Sequence, residues 1–397
     1  MKILQLTKKF PYPLKDGESI AVTNLSRSMA ELGCDITLLS MNTVKHYIDP
    51  DKIPSSFDHY KEIHLVELDN RVTITGALKN LFTKDSYHVS RFFFDDFRKK
   101  LTDLLTNNVY DIIQLETLYL APYIDLIRKH SDAKIVMRSH NLEYEIWNRI
   151  TSNTRNFLKK IYLRYLTNKL KRFELEAMHK YNPLVNVTQR DLDAHINSGY
   201  SGKGMSLPIG IDSSDYTSEV EWRDSQSLSF IGSLDWMPNL EGLDWFLKKV
   251  WPLVLKENPQ TKLHIAGRNT PESIRSLSSE SIIVEGEVED AHTFIQQHSV
   301  MIVPLLSGSG MRVKILEGMI LSRVVVSTSV GMEGIPAINK QHILKADTIT
   351  DFANQLNWLL KNTVKAKEIA SNARSFITEH FDQKSNTQKF IDFLKNL

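Results

Sequence analysis

The stretch Val303-Pro304-Leu305-Leu306-Ser307-Gly308-Ser309-Gly310-Met311-Arg312-Val313-Lys314-Ile315-Leu316-Glu317 decides how this chain folds. An apolar strand runs into a Ser/Gly loop and then into an amphipathic segment, which predicts a helix from about Met311 to Leu321. Free backbone N–H groups near Gly308, Ser309, Gly310 and Met311 would converge where that helix starts, and such a point attracts anions. Arg312 and Lys314 are placed in the first helical turn, where the macrodipole disfavours cations, so a bound phosphate would compensate them. Glu317 follows on the same helix, and a carboxylate there suits the paired hydroxyls of a ribose. The alternative is a tight turn leading into a solvated helix face, with local ion pairs worth a few tenths of a kcal/mol each.

Outward from this segment the same alternation recurs. Strands are predicted at Leu228–Ile231, Lys262–Ala266, Ile282–Glu285, Val300–Pro304 and Val324–Ser327, with a helix from about Asn239 to Glu257. Nearer the amino end, strands are predicted at Ile3–Leu6, Asp35–Ser40, Ile63–Leu68, Asp111–Leu115, Lys134–Ser139 and Leu184–Thr188. Helical stretches such as Phe92–Leu105 and Leu120–Lys129 separate them, and Gly33 ends the first helix. Short apolar strands alternating with helices imply parallel sheets covered on both faces. The expected architecture is therefore α/β: two tandem Rossmann-like, doubly wound domains facing a central cleft, with ligands at the carboxyl ends of the strands. Residues 1–205 form the first domain, 206–226 a polar linker, and 227–380 the second. A last amphipathic helix over 381–397 is expected to pack back on the first.

Length and composition agree. A chain of 397 residues exceeds what one core usually supports. Its 42% hydrophobic and 24% charged content excludes disordered, collagen-like and disulfide-scaffold classes. Cys34 is the only cysteine, so neither an internal disulfide nor a thiolate metal cluster can form. The charged residues close to the amino terminus leave too short an apolar segment for a signal peptide, and the longest apolar run, Val300–Leu306, has seven residues. A cytoplasmic protein is expected. Residues 1–205 carry 30 Lys+Arg against 24 Asp+Glu, and the remainder 19 against 23. That modest excess, with no recognition module, argues against nucleic-acid binding.

Several segments together resemble the family 4 glycosyltransferases, retaining enzymes of the GT-B fold. The Gly308–Met319 segment followed by Arg323-Val324-Val325-Val326-Ser327-Thr328 resembles their nucleotide-sugar signature. Phe230-Ile231-Gly232-Ser233-Leu234-Asp235-Trp236-Met237-Pro238-Asn239 and Ile265-Ala266-Gly267-Arg268 resemble the start of the donor domain. Phe10-Pro11-Tyr12-Pro13 with Gly17, Ser139-His140-Asn141-Leu142-Glu143 and Leu207–Asp212 resemble acceptor-domain landmarks.

The resemblance implies a retaining, metal-independent hexosyltransferase using a nucleotide-diphosphate sugar and no further cofactor. Its acceptor would be a glycan or lipid-linked glycan, as in surface polysaccharide biosynthesis. Arg312 and Lys314 would neutralise the diphosphate with help from Arg268, while Glu317 would bind the nucleotide. Gly232, Ser233, Gly308, Ser309, Gly310 and Met311 would line the donor site. His140 would contact the donor sugar or polarise the reacting centre, and Asn141 beside it would help bind the donor. Gly17, in the first βα loop, would let a diphosphate or acceptor approach the backbone. The family pairs two glutamates eight positions apart, and here the first falls on Ser309. Its usual Arg and Lys after the first donor-domain strand are replaced by the Ser233–Trp236 loop. Two rival classes stay open: a nucleotide-sugar epimerase of the same fold and a non-catalytic nucleotide-sugar sensor.

Two Asp-x-Asp tripeptides, Asp49-Pro50-Asp51 and Asp191-Leu192-Asp193, read as a turn and a helix start rather than as metal ligands. Residues 155–180 hold eight basic and two acidic residues, with Leu158, Ile161, Tyr165, Leu170 and Phe173 at helical spacing. This basic amphipathic helix could lie against an anionic membrane surface, or pack into the core with a solvated cationic face.

Overall fold

The computed structural model describes the whole chain except residues 15, 74, 75, 77–79, 81, 84, 155, 217–226 and 309. It divides into two compact units, Met1–Gly210 with Gln383–Leu397, and Ile211–Asp382. Among the described residues no helix is long and apolar enough to cross a membrane.

The first unit is built on seven parallel strands: β1 (Lys2–Thr7), β2 (Asp35–Thr43), β3 (Glu62–Leu68), β4 (Ile112–Leu115), β5 (Lys134–Ser139), β6 (Leu184–Asn186) and β7 (Gly204–Ser206). They lie in the order β3-β2-β1-β4-β5-β6-β7, so the strand order reverses between β1 and β4. Alternate residues of a strand serve opposite faces. Thus Leu4 and Leu6 join one apolar cluster with Phe97, Ile113 and Leu170, whereas Ile3 joins another with Leu25, Met29 and Ile36. That second cluster also takes Phe390, Ile391 and Leu394 of the helix Gln383–Lys395.

The second unit has six parallel strands: β8 (Ser227–Ile231), β9 (Lys262–Ala266), β10 (Ile282–Gly286), β11 (Val300–Val303), β12 (Val324–Ser327) and β13 (Leu344–Lys345). Their order is β10-β9-β8-β11-β12-β13, with the reversal between β8 and β11. Leu228, Phe230, Ile302, Val324 and Val326 fill a core on one face. On the other, Met301 and Val325 meet the helix Val313–Ile320, held so close that a Cβ on Gly318 would lie 2.9 Å from Met301 Sδ.

Three boundaries differ from the sequence reading. The helix after β11 begins at Val313 rather than Met311, because Gly308 and Gly310 take φ values of +106° and +83° and Arg312 is extended. The long helix expected from Asn239 runs as Met237–Trp245, a π-helical stretch Phe246–Val250 and Trp251–Glu257. Pro252 has no N–H to donate to the preceding turn, which accounts for the changed pitch. The supposed start of the linker is strand and core: β7 reaches Ser206, and Leu207, Ile209 and Ile211 are buried. Residues 217–226 of that segment lie outside the described residues.

Candidate functional site

In doubly wound sheets, ligands bind outside the strand carboxyl ends where strand order reverses. In the second unit this point lies between β8 and β11, and the Gly232–Trp236, Gly267–Thr270 and Pro304–Arg312 loops leave β8, β9 and β11 around it. Close backbone approach draws the first two together, since a Cβ on Gly267 would come within 2.2 Å of the Gly232 carbonyl oxygen. Gly242 does the same for the third, its Cβ position lying 2.2 Å from the Pro304 oxygen.

Lys314, in the first turn of the helix after β11, reaches back to this point. Its Nζ donates to the Ile231 carbonyl at 3.0 Å and to Asn239 Oδ1 at 2.9 Å, and lies 5.0 Å from the Phe230 ring centre. Desolvation of the ammonium, aided by the charge on Arg312, lowers its pKa to about 7. Its contacts among the described residues are two neutral oxygens and an aromatic face, and the charge of Glu317 opposes the lowering only in part.

Arg312 stands at the N-cap and not, as expected, inside the first turn, because the left-handed Gly310 before it holds the chain extended up to Val313. Its Nη1 donates to the Gly310 carbonyl at 2.7 Å and its guanidinium lies 5.3 Å from the Trp236 ring centre. A Cβ on Gly308 would crowd both Arg312 and Trp236, so glycine is needed there for space as well as for φ. Met311 is buried beside this loop, and Ser309 lies outside the described residues.

Arg268 Nη2 donates to Ser233 Oγ at 3.3 Å, while its buried Nε has no hydrogen-bond partner among the described residues. Ser233 donates in turn to Asp235, whose other oxygen accepts from Asn269 at 2.9 Å. Glu317 lies 3.8 Å from His292 Nε2, an ion-pair distance, and its carboxylate raises the imidazole pKa. The Tyr216 ring stands 4.6 Å from that of His292.

The first unit carries a second charged centre at its own reversal point, and most of it escaped the sequence reading. Glu116, fully buried just beyond β4, accepts from Gln5 Nε2 at 2.6 Å, Gln114 Nε2 at 2.5 Å, Arg138 Nη1 at 2.9 Å and His140 Nε2 at 3.0 Å. Burial alone would raise its pKa, but Arg138 and the bonds from His140 and Gln114 outweigh that and hold it at about 2. A carboxylate only accepts, so the His140 proton facing it sits on Nε2. Around His140 lie Lys8, paired with Glu18 at 3.1 Å, and Glu143, which accepts from Tyr119 Oη at 2.8 Å. Burial raises the Glu143 pKa. An imidazole beside a carboxyl of raised pKa can move a proton. Asn141 follows His140, its carbonyl accepting from Ser139 Oγ at 2.7 Å.

Gly17 is the first residue of a helix, not part of the loop, because Asp16 caps that helix by accepting from the Ser19 N–H at 3.0 Å. A Cβ there would meet nothing within 4 Å. Asp49 caps a 3₁₀ turn, and Asp191 bonds Arg190 at 2.9 Å. One trio among the described residues, His264, Glu285 and His298, offers possible ligand atoms within 4.8 Å of one another. Within it His264 bonds Glu285 at 2.8 Å, while His298 bonds Ser227 outside it at 3.1 Å.

Residues 225–362 match the model of the family Glycosyl transferases group 1. An uncharacterized 44.6 kDa protein in the cps region of Klebsiella pneumoniae is 27% identical, over 96% of this chain and 97% of that one. Anabaena HepE, crystallised with UDP, superposes with a TM-score of 0.68 at 14% identity and covers 100% of both chains. Sucrose-phosphate synthase from Thermosynechococcus elongatus gives 0.72 at 13% identity, covering 100% of this chain and 99% of that one. A variant of S. aureus TarM, crystallised with fondaparinux, alpha-GlcNAc-glycerol and UDP, gives 0.69 at 13%, covering 99% of each. The fold is thus the two-domain α/β fold of GT-B glycosyltransferases, and with the family match over the second unit it supports a glycosyltransferase.

Proposed function

We propose that the protein is a retaining, metal-independent hexosyltransferase that moves a hexose from a nucleotide-diphosphate sugar to a glycan or lipid-linked glycan in surface polysaccharide assembly. The observation that carries this reading is Lys314, an amine drawn to the strand-order reversal whose contacts among the described residues are two neutral oxygens and an aromatic ring. In the reaction the bond from the sugar's C1 to the β-phosphate oxygen breaks as positive charge spreads over the ring. The acceptor hydroxyl bonds to C1 on the same face and passes its proton to an oxygen of the departing phosphate, and the nucleoside diphosphate leaves. Negative charge on that leaving group meets Lys314, Arg312 and the loop amides most strongly as the bond breaks, which is where differential binding accelerates the step. Glu317 is given the ribose hydroxyls. On the first unit His140, tied through Nε2 to Glu116, is the polarising group. Retention rests on the resemblance to family 4, and the polysaccharide setting on the cps-region relative.

The test is a thermal-shift comparison of UDP and GDP, followed by incubation with the matching nucleotide sugars. A ligand at 100 times its Kd adds about 2.7 kcal/mol to the folded state, and Glu317→Ala should remove most of the shift. Isomerised sugar from donor alone would replace this reading with an epimerase. Binding without transfer or hydrolysis would replace it with a sensor.

A further inference from the structure

The helix Phe157–Ala177 does not present its apolar residues as one stripe. Leu163, Leu166, Leu170 and Ala177 are buried against the first unit. On the opposite side Phe157, Leu158, Ile161 and Tyr165 are 73%, 77%, 52% and 38% exposed. Spacings of three and four residues put these side chains on one face of the first two turns. A neighbouring segment adds Phe82, which is 91% exposed. Its flanking residues Asn80 and Thr83 accept through their carbonyls from Lys169 Nζ at 2.5 and 2.7 Å, which fixes that segment to the helix one turn beyond Tyr165.

The polar residues around this apolar tip share one sign. From Phe157 to Arg172 the helix holds no acidic residue, and of its cations Lys159, Lys160, Arg164, Lys171 and Arg172 reach the surface while Lys169 is buried. A large exposed apolar patch costs solubility unless something covers it. Pairing with a second copy through a two-fold axis would set this cationic rim against itself. A bilayer with anionic headgroups satisfies both features, because apolar side chains enter the headgroup and acyl boundary while Lys and Arg stay at headgroup level.

We infer that the exposed first turns of the helix Phe157–Ala177, with Phe82 beside them, form a docking surface for an anionic lipid bilayer. Phe157, Leu158, Ile161 and Tyr165 insert, and Lys159 and Arg164 meet lipid phosphates. The inference is independent of the donor reading, since no residue of the second unit takes part.

The full chain is floated with vesicles of phosphatidylcholine alone and of equimolar phosphatidylcholine and phosphatidylglycerol. It should float with the anionic vesicles only, less so as salt rises. Leu158→Ser with Ile161→Ser, and separately Lys159→Glu with Arg164→Glu, should each lower the partition coefficient at least about tenfold. Lys249→Glu with Lys256→Glu on the second unit, which changes the net charge by the same amount, should change little. Unchanged thermal unfolding midpoints and far-UV circular dichroism in every variant show that the fold is intact. Absence of flotation, or flotation equal in all variants, overturns the proposal. So does a dimer in sedimentation velocity that Leu158→Ser with Ile161→Ser disperses, because the apolar face would then belong to a second copy.

Discussion

The Lys314 ammonium donates to the main-chain oxygen of Ile231 at 3.0 Å, tying the helix after β11 to the end of β8 across the point where strand order reverses. With its pKa lowered to about 7, Lys314 is mostly neutral at pH 8 while the site is empty. A diphosphate bound there favours the charged form and raises that pKa. UDP binding at pH 8 should therefore take up close to one proton, about 0.9 by the titration of such a group. Calorimetry in two buffers of different ionisation enthalpy reads this directly. Lys314→Met should abolish the uptake, and a wild-type heat independent of buffer would place the diphosphate elsewhere.

Two glycines separate fold from function. Gly267→Ala would push a Cβ to within 2.2 Å of the Gly232 carbonyl oxygen, a backbone atom that cannot turn aside. The loops after β8 and β9 must then part, at a cost of about 1–3 kcal/mol by analogy with overpacked cores, read as a lowered urea midpoint. Gly17→Ala meets no atom within 4 Å and should leave the midpoint unchanged. If a ligand approaches the backbone at Gly17, the same substitution lowers transfer in a fully folded protein. Unchanged turnover would remove Gly17 from the site.

Glu116 should govern the acid limit of stability. Its folded-state pKa of about 2 lies below the usual 4.5, so its contribution is present above pH 4.5 and is lost as pH falls through 2. Glu116→Gln should flatten that limb. It also leaves Arg138 buried without a carboxylate, which typically costs about 3–5 kcal/mol. Denaturant titrations from pH 6 down to pH 2 measure both effects. An unaltered acid limb would mean that the Glu116 contacts are not maintained in solution.

What the sequence made legible follows from the chemistry of parallel sheets. Val324–Ser327, buried on both faces, reads as an apolar run. In Lys262–Ala266 the buried Leu263 and Ile265 alternate with the less buried Lys262 and His264, so both were found to the residue, while β7 and the two-residue β13 were too short to carry a pattern. The loop before Val313 was recognised by its glycines, yet Arg312 was misplaced, because only the positive φ of Gly310 shows where helical geometry can begin. Glu116 was missed for a different reason. A single acid at the end of an apolar run becomes a site only when β4 and β5 pair and bring Arg138 and His140, 22 and 24 residues away, against it. For the helix Phe157–Ala177 a membrane-facing and a core-packed reading both stayed open, since helical periodicity alone does not say which of two apolar faces meets the core.

The carboxylate of Glu174 predicts the opposite pH limb. It accepts from the backbone N–H groups of Glu143 and Tyr144 at 3.1 and 3.0 Å, capping the start of the helix Glu143–Asn153 just after His140. Burial, with the neighbouring Glu143 charge, raises its pKa to about 8 and outweighs those two bonds. The folded state then binds a proton more tightly than the unfolded chain does. The contribution is complete below the usual 4.5 and is lost as pH rises through about 8. Glu174→Gln keeps an acceptor for the helix start without a charge to bury, so stability between pH 5 and pH 8 should become nearly flat. Urea midpoints across that range decide the point: a wild-type midpoint that does not fall towards pH 8, or a variant that falls equally, would mean that Glu174 is ionised in the folded protein.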